Sequence, residues 1–310
     1  MPVLGIDAGG TKTVCLLANE RGQILNDARG PGATLHVMAD DDVARTLRDV
    51  ITGATDGQTE APAAICVGMS GVDRPGEPER ISLVLSGIRS GAPVLVVNDA
   101  LIALEAGAPG SPGIVVVAGT GSMVYGRNAN GRAARAGGWG YVLGDEGSGY
   151  WMGRQALQAV VRAADERGPA TALTSLVLEH WGVGRPRDLV REIYTSDPKP
   201  ATIARLAFVV QKAADAGDDV ARSIIDQGAA ELSGAAVSVA ARLGLTDAPI
   251  VLAGSLLGGM PRLRTAVIAR LADRLPRAPA RPLEDEPAVG AVRLALALAH
   301  GGLRLPSYDV

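Results

Sequence analysis

An aspartate, two glycines, two threonines and a lysine sit together near the start of the chain, in Asp7-Ala8-Gly9-Gly10-Thr11-Lys12-Thr13. The apolar run Val3 to Ile6 precedes them and Val14 to Ala18 follows, so the segment reads as the turn of a β-hairpin. A turn of this composition wraps phosphate oxygens with backbone N–H groups, while its acid holds a metal ion directly or through water. The pattern recurs. Ile114 to Val117 is apolar, Ala118-Gly119-Thr120-Gly121-Ser122 is a second Gly/Thr turn, and Met123 to Arg127 returns as a strand. Each hairpin runs into a further tight turn, at Gly22 and at Gly131. An internal duplication of this kind is a stronger signal than either copy.

Between the copies, the apolar strand Pro93 to Val97 stops at Asn98-Asp99, and Ala100 to Ala106 reads as a helix. An acid at the C-terminal edge of a strand is well placed for chemistry. The same position suits a plain helix N-cap, and the spacing alone leaves both readings open. The stretch Ala136 to Trp151 concentrates glycine, the adjacent acids Asp145 and Glu146, and two of the three tryptophans, in a chain only 3% aromatic. Glycine lets backbone approach a ligand closely, and the acids and indoles add hydrogen bonding and a flat apolar wall. Later, Pro249 to Ala253 is a buried strand ending in Gly254-Ser255, with Gly258-Gly259 ahead of a helix. There a base or ribose can lie against backbone.

Elements of both periods position these residues. Helical patterns cover Asp40 to Ile51, Glu77 to Ser86, Met152 to Ala164, Ala170 to Trp181, Ile203 to Ala216, Val220 to Leu243, Arg262 to Arg274 and Ala288 to His300. Further strands are expected near Gln23 to Ala28 and at Ala63 to Met69. The fold class is therefore α/β, and 310 residues suffice for two domains. Gly107 to Gly113 (GAPGSPG) is the candidate hinge, giving domains 1–108 and 109–310, with the last helix packing back on the first.

The net charge of −3 gives no reason to expect nucleic acid or an anionic membrane surface. The start of the chain has no signal-peptide pattern and no stretch reaches membrane-spanning length, so a cytoplasmic protein is expected. Cys15 and Cys66 each lie in an apolar strand-like run and read as buried hydrophobes. His180 and His300 fall in helical runs and read as structural.

The motifs GIDAGGTKT, VVNDA, AGTGS, GGWGYVLGDEGSGYW and LAGS, in that order, resemble the BadF/BadG/BcrA/BcrD ATPase family and its N-acetylglucosamine kinase members, within the actin/hexokinase/Hsp70 superfamily. The resemblance implies two RNase H-like domains with a nucleotide cleft between them. Mapped residue by residue, it implies that Asp7 serves Mg²⁺ and that Gly9, Gly10, Thr11, Lys12 and Thr13 serve the phosphates of ATP. Gly119, Thr120, Gly121 and Ser122 become the second phosphate turn, and Gly254, Ser255 and Gly258 border the adenosine. Asp99 becomes the catalytic base. Thr34, Ser70, Thr120, Gly138, Trp139 and Asp145 match positions that bind the sugar, together with Asp99.

One segment departs from the family pattern. Where related kinases often carry asparagine, Gly30-Pro31-Gly32-Ala33-Thr34-Leu35-His36 presents Thr34, a shorter hydroxyl group, with His36 as a neighbour that compensates or stands by. The implied activity is transfer of phosphate to the 6-hydroxyl of N-acetylglucosamine, or to glucosamine, another hexosamine or a cell-wall sugar. A small-molecule partner and a homodimer follow by analogy. Two other functions compete. An ATPase that activates a dehydratase or reductase would need exposed cluster-binding cysteines, and a sugar-sensing transcription factor would need a helix-turn-helix or basic region that is not seen.

Overall fold

A computed structural model of the chain describes residues 1–34, 38–72, 76–86, 91–195 and 200–308. In chain order the first elements are β1 (Val3–Ala8), β2 (Lys12–Ala18), β3 (Ile24–Pro31), α1 (Asp40–Ala54), β4 (Ile65–Met69), α2 (Glu77–Ser86), β5 (Val94–Asn98) and α3 (Asp99–Gly107). There follow β6 (Gly113–Ala118), β7 (Ser122–Arg127), β8 (Arg132–Gly137), α4 (Gly149–Ala164), α5 (Leu173–Trp181), α6 (Asp188–Tyr194), α7 (Pro200–Ala204), α8 (Leu206–Asp215) and α9 (Asp219–Leu243). The chain closes with β9 (Ile250–Ala253), α10 (Ser255–Gly259), α11 (Pro261–Arg274), β10 (Ala280–Pro282), α12 (Pro287–Ala299) and β11 (Ser307–Tyr308).

Two sheets result, in an α/β arrangement with two domains. One sheet has the order β3-β2-β1-β4-β5, with β2 antiparallel to β1 and β3, and β4 and β5 parallel to β1. The other has the order β10-β9-β6-β7-β8-β11. The chain folds as two compact units. Residues Met1–Val115, Tyr125–Ala134 and Leu283–Val310 form one, and Val116–Val124 with Arg135–Pro282 form the other.

In the first unit, the near-continuous apolar runs of β1 and β4 are those of strands covered on both faces. Alternation assigns the faces. Leu4 and Ile6 of β1 join Val43, Leu47 and Ile51 of α1 and Ile81 and Leu85 of α2 in one core. Gly5 faces the other way, where a Cβ would overlap the Val292 nitrogen of α12. Asp7 follows Gly5 at the same parity and so belongs to the face that α3 and α12 cover. The α12–α3 contact is equally close, since a Cβ on Gly290 would overlap the Ile102 carbonyl oxygen and come within 2.7 Å of the Ala106 nitrogen. Gly→Ala in a helix interior ordinarily stabilises by about 1 kcal/mol. Here the obstacle is backbone, which cannot swing aside, and Gly290→Ala is expected to destabilise by about 3 kcal/mol in urea unfolding.

The segment expected to be a hinge is tied down locally. Arg127 donates from Nε to the Ser111 carbonyl at 2.9 Å and from Nη2 to the Ala108 carbonyl at 3.0 Å. Its Nη2 also lies 2.6 Å from Glu105, and Glu105 accepts the Gly110 N–H at 2.9 Å.

Val220 to Leu243 forms a single helix, α9, whereas Ile203 to Ala216 is divided at Arg205 into α7 and α8. Among the described residues no helix is long and apolar enough to cross a membrane.

Candidate functional site

The parallel strands of the first unit bring three of the singled-out residues into a row. Ala8 pairs with Met69, and Met69 pairs with Asn98. The next residue on each strand is Gly9, Ser70 or Asp99, so these leave the carboxyl edge of the sheet side by side, where α/β sheets bind ligands. The helix-cap question at Asp99 is answered by its neighbour. Asn98 is the N-cap of α3, its side-chain oxygen accepting the Ala100 N–H at 2.8 Å. Asp99 stands one residue inside, partly exposed.

Asp7 lies behind this edge. Burial raises its carboxyl, and the nearby charges of Asp99 and Glu286 raise it further against the opposing pull of Lys12, so that it is pushed up to about 7. The turn closes on itself through the Gly9 N–H, which donates to the Lys12 carbonyl at 3.0 Å. Gly9, Gly10, Thr11 and Lys12 stay accessible, but Thr13 is fully buried, its hydroxyl donating to the Pro31 carbonyl at 2.7 Å. The Thr13 side chain therefore braces β2 against β3. Thr34 is only 4% exposed, and its methyl lies 3.9 Å from where a Gly10 Cβ would stand, so the departing residue does abut the turn. His36 lies outside the described residues.

In the second unit, Ser122 is the knot. Its hydroxyl donates to the Glu146 carbonyl at 2.8 Å, and its carbonyl accepts the Gly138 N–H at 3.0 Å. Its own N–H donates to the Asp145 carboxylate, as does the Gly140 N–H. Asp145 is 8% exposed and adopts a left-handed φ of 59°, a strained geometry for an aspartate. Burial raises its carboxyl and the two N–H donors oppose the shift. A Cβ on Gly121 would lie 2.7 Å from an Asp145 oxygen, so glycine is what allows this approach. The second turn also receives the start of α4, with Gly149 N–H donating to the Gly119 carbonyl and Tyr150 N–H to the Thr120 carbonyl.

The late Gly-Ser step joins the same place. Gly254 has φ 96° and no room for a Cβ beside the Ala118 carbonyl, and Ser255 Oγ lies 3.4 Å from where a Gly119 Cβ would stand. Gly258 is exposed in α10. Trp139 is 63% exposed, with the Arg135 guanidinium 5.3 Å from its ring centroid. Thus Gly119 to Ser122, Gly138, Asp145, Gly254 and Ser255 converge, and Trp139 stands at their margin.

The residues present fit a magnesium–nucleotide. Among the described residues no group of three or more His, Cys, Asp or Glu could enclose a metal ion. Mg²⁺ does not require such a cage, being commonly held by one or two carboxylates and by phosphate oxygens. Asp7, held near neutrality by burial and by a second carboxylate, is a group that a divalent cation would return to its charged form. Cys15 and Cys66 are buried in β2 and β4, the Cys15 thiol pushed up to about 12 by burial, so neither is placed to hold an exposed cluster.

Glu286 and Arg29 belong to no sequence motif, yet they stand beside the first turn. Glu286 contacts Lys12 at 3.2 Å and Arg29 at 2.8 Å, and it precedes Pro287, the first residue of α12. The only local hint was an acid immediately ahead of a helix-opening proline.

The chain matches the BadF/BadG/BcrA/BcrD ATPase family over residues 4–295. It is 34% identical over 299 residues to the N-acetylmuramic acid/N-acetylglucosamine kinase of Clostridium acetobutylicum, covering 94% of this chain and 97% of that one. It is 32% identical over 314 residues to the N-acetyl-D-glucosamine kinase of Dictyostelium discoideum, with the same coverage. A solved structure from Chromobacterium violaceum, assigned as a candidate N-acetylglucosamine kinase, aligns with a TM-score of 0.77 at 29% identity, covering 95% of this chain and 98% of that one. With a family match running nearly end to end and two relatives above 30% identity, the chain belongs to the BadF/BadG/BcrA/BcrD ATPase family.

Proposed function

We propose that the protein is an ATP-dependent amino-sugar kinase that phosphorylates the 6-hydroxyl of N-acetylglucosamine. The observation that carries this is the placement of Asp99, beside Gly9 and Ser70 at the carboxyl edge of the sheet, with the capping of α3 left to Asn98. The named activities of the two relatives above 30% identity support it.

In this reading the Gly9–Lys12 turn and the Gly119–Ser122 turn contact the phosphates, and Thr13 braces the first turn. Gly254, Ser255 and Gly258 border the adenosine. Mg²⁺, when bound, neutralises charge on the phosphates, and Asp7 holds it directly or through water. Asp99 takes the proton of the sugar hydroxyl as that oxygen bonds to the γ-phosphorus and the bond to the β-phosphate bridge breaks, releasing ADP. Thr34, Ser70, Thr120, Gly138, Trp139 and Asp145 bind the sugar. Asp145, drawn in by two N–H donors, keeps its carboxylate fixed for a sugar hydroxyl. Domains at 1–108 and 109–310 and a cytoplasmic location belong to the same reading, and a homodimer is added by family analogy.

A second substrate is favoured by Thr34 itself. A side chain shorter than asparagine leaves room for a substituent on the sugar ring, as in N-acetylmuramic acid, which the name of the Clostridium relative includes.

The test is ADP release from ATP–Mg²⁺ with N-acetylglucosamine, N-acetylmuramic acid, glucosamine, N-acetylmannosamine, glucose and buffer alone. Strong turnover with an acetylated hexosamine supports the reading, and turnover without sugar refutes it. The exposed indole of Trp139 is the proposed slot for the acetamido methyl, a contact worth about 1–2 kcal/mol. Trp139→Ala is therefore expected to raise KM for N-acetylglucosamine about tenfold and KM for glucosamine about threefold or less. Equal effects on the two sugars would remove the slot.

A further inference from the structure

We propose that Glu286 is a positioning residue for the nucleotide site: its carboxylate, clamped by Arg29, holds the Lys12 ammonium in place to meet the phosphates. The inference rests on the reading that the Gly9–Lys12 turn receives the phosphates of ATP.

Three features of the fold fix Glu286 beside that turn. Glu286 occupies the N-cap position of α12 with extended backbone, yet its side chain makes no capping hydrogen bond. The carboxylate turns outward and accepts Nη1 and Nη2 of Arg29 at 2.8 and 3.0 Å and Nζ of Lys12 at 3.2 Å. The two cations come from neighbouring strands, Lys12 from the first residue of β2 and Arg29 from β3. The helix that carries Glu286 is itself seated without slack. Gly5 lets the α12 backbone down onto β1, and Gly290 lets α3 down onto α12. Those strands and helices are the ones that hold Asp7 and Asp99, so Glu286 is registered to both by backbone contact.

The chemistry gives the arrangement a purpose. A lysine at a turn is a flexible point charge, and much of its attraction for a phosphate is offset by the entropy of ordering its four-carbon stem. Anchoring the ammonium to a carboxylate already engaged by a bidentate arginine restricts that stem before the nucleotide arrives. Arg29 also compensates the charge of Glu286, lowering its carboxyl through the hydrogen bonds and reducing its repulsion of a triphosphate. The plain alternative is a surface ion pair that only fastens α12 to the hairpin. Such a pair would serve equally well with no lysine in the turn, and this separates the two cases.

The experiment is a double-mutant cycle in the full-length protein. Calorimetric titration with ATP–Mg²⁺ in the absence of sugar gives Kd, and steady-state kinetics give KM and kcat. Glu286→Gln is expected to weaken Kd and raise KM for ATP about fivefold to tenfold, with kcat and the sugar KM within about twofold of wild type. Lys12→Met is expected to weaken nucleotide binding about tenfold or more, and adding Glu286→Gln to it should change Kd by less than about twofold. A Glu286→Gln effect of the same size in both backgrounds, or tighter nucleotide binding in the single variant, would overturn the positioning role while leaving the kinase reading intact. Wild-type affinity in Lys12→Met would overturn the positioning role and remove Lys12 from the phosphate contacts, with the kinase reading still judged by sugar-dependent ADP release.

Discussion

Asp99→Asn is expected to lower kcat for sugar phosphorylation about 10³-fold while leaving Kd for ATP–Mg²⁺ within about threefold. The amide keeps the size of the carboxylate and cannot take a proton, so the loss is specific to proton removal from the attacking hydroxyl. The variant is a clean one because of its neighbour. Asn98 accepts the Ala100 N–H and caps α3, so a change at residue 99 leaves the helix start and its packing in place. Neither Asn98 nor the strand β5 that delivers both residues is altered. Rapid-quench kinetics with saturating ATP and N-acetylglucosamine would measure the chemical step directly. Turnover near the wild-type level would remove Asp99 as the base. A comparable loss in nucleotide affinity would instead place it with the phosphates.

The parts of this site that were legible in the sequence are those that a few adjacent residues determine. The two Gly/Thr turns announced themselves because glycine density and flanking apolar runs are local signals, and the hairpins formed where the runs lay. Gly254 was legible for the same reason, though not its cause, which is a carbonyl of Ala118 more than a hundred residues away. Asp99 was ambiguous because a strand-end acid and a helix N-cap share one sequence pattern, and only the hydrogen bond of Asn98 separates them. The pairing of Lys12 with Glu286 could not be read at all, because it depends on how α12 seats against β1. The short elements α6, β10 and β11 escaped for a different reason. With seven, three and two residues, they are too brief to display a period. The break between α7 and α8 was hidden by apolar residues that continue across it.

Asp7→Asn should remove activity and at the same time make the ligand-free protein more stable at neutral and alkaline pH. Desolvation and the neighbouring Asp99 push the Asp7 carboxyl from 3.8 up to about 7 in the folded chain. An acid whose folded value is raised takes up a proton on folding between those two limits. Its contribution to stability therefore falls as pH rises from about 4 to about 7, and stays lost above that. Asparagine carries no charge to desolvate. The variant should match wild type near pH 4 and exceed it by about 2–4 kcal/mol above pH 7, a rise in Tm of about 5 °C. Thermal unfolding between pH 5 and pH 8.5 would reveal the divergence, and parallel curves would refute it. Adding ATP–Mg²⁺ should then invert the order, because the stabilisation that the ligand gives wild type depends on a carboxylate the variant lacks. Asp99→Asn provides the internal check. It removes the second-largest cause of the Asp7 shift, so it should reproduce part of the stability gain with the same pH dependence. The two carboxylates would then share one cost in the empty protein, a cost that a divalent cation held at Asp7 would offset.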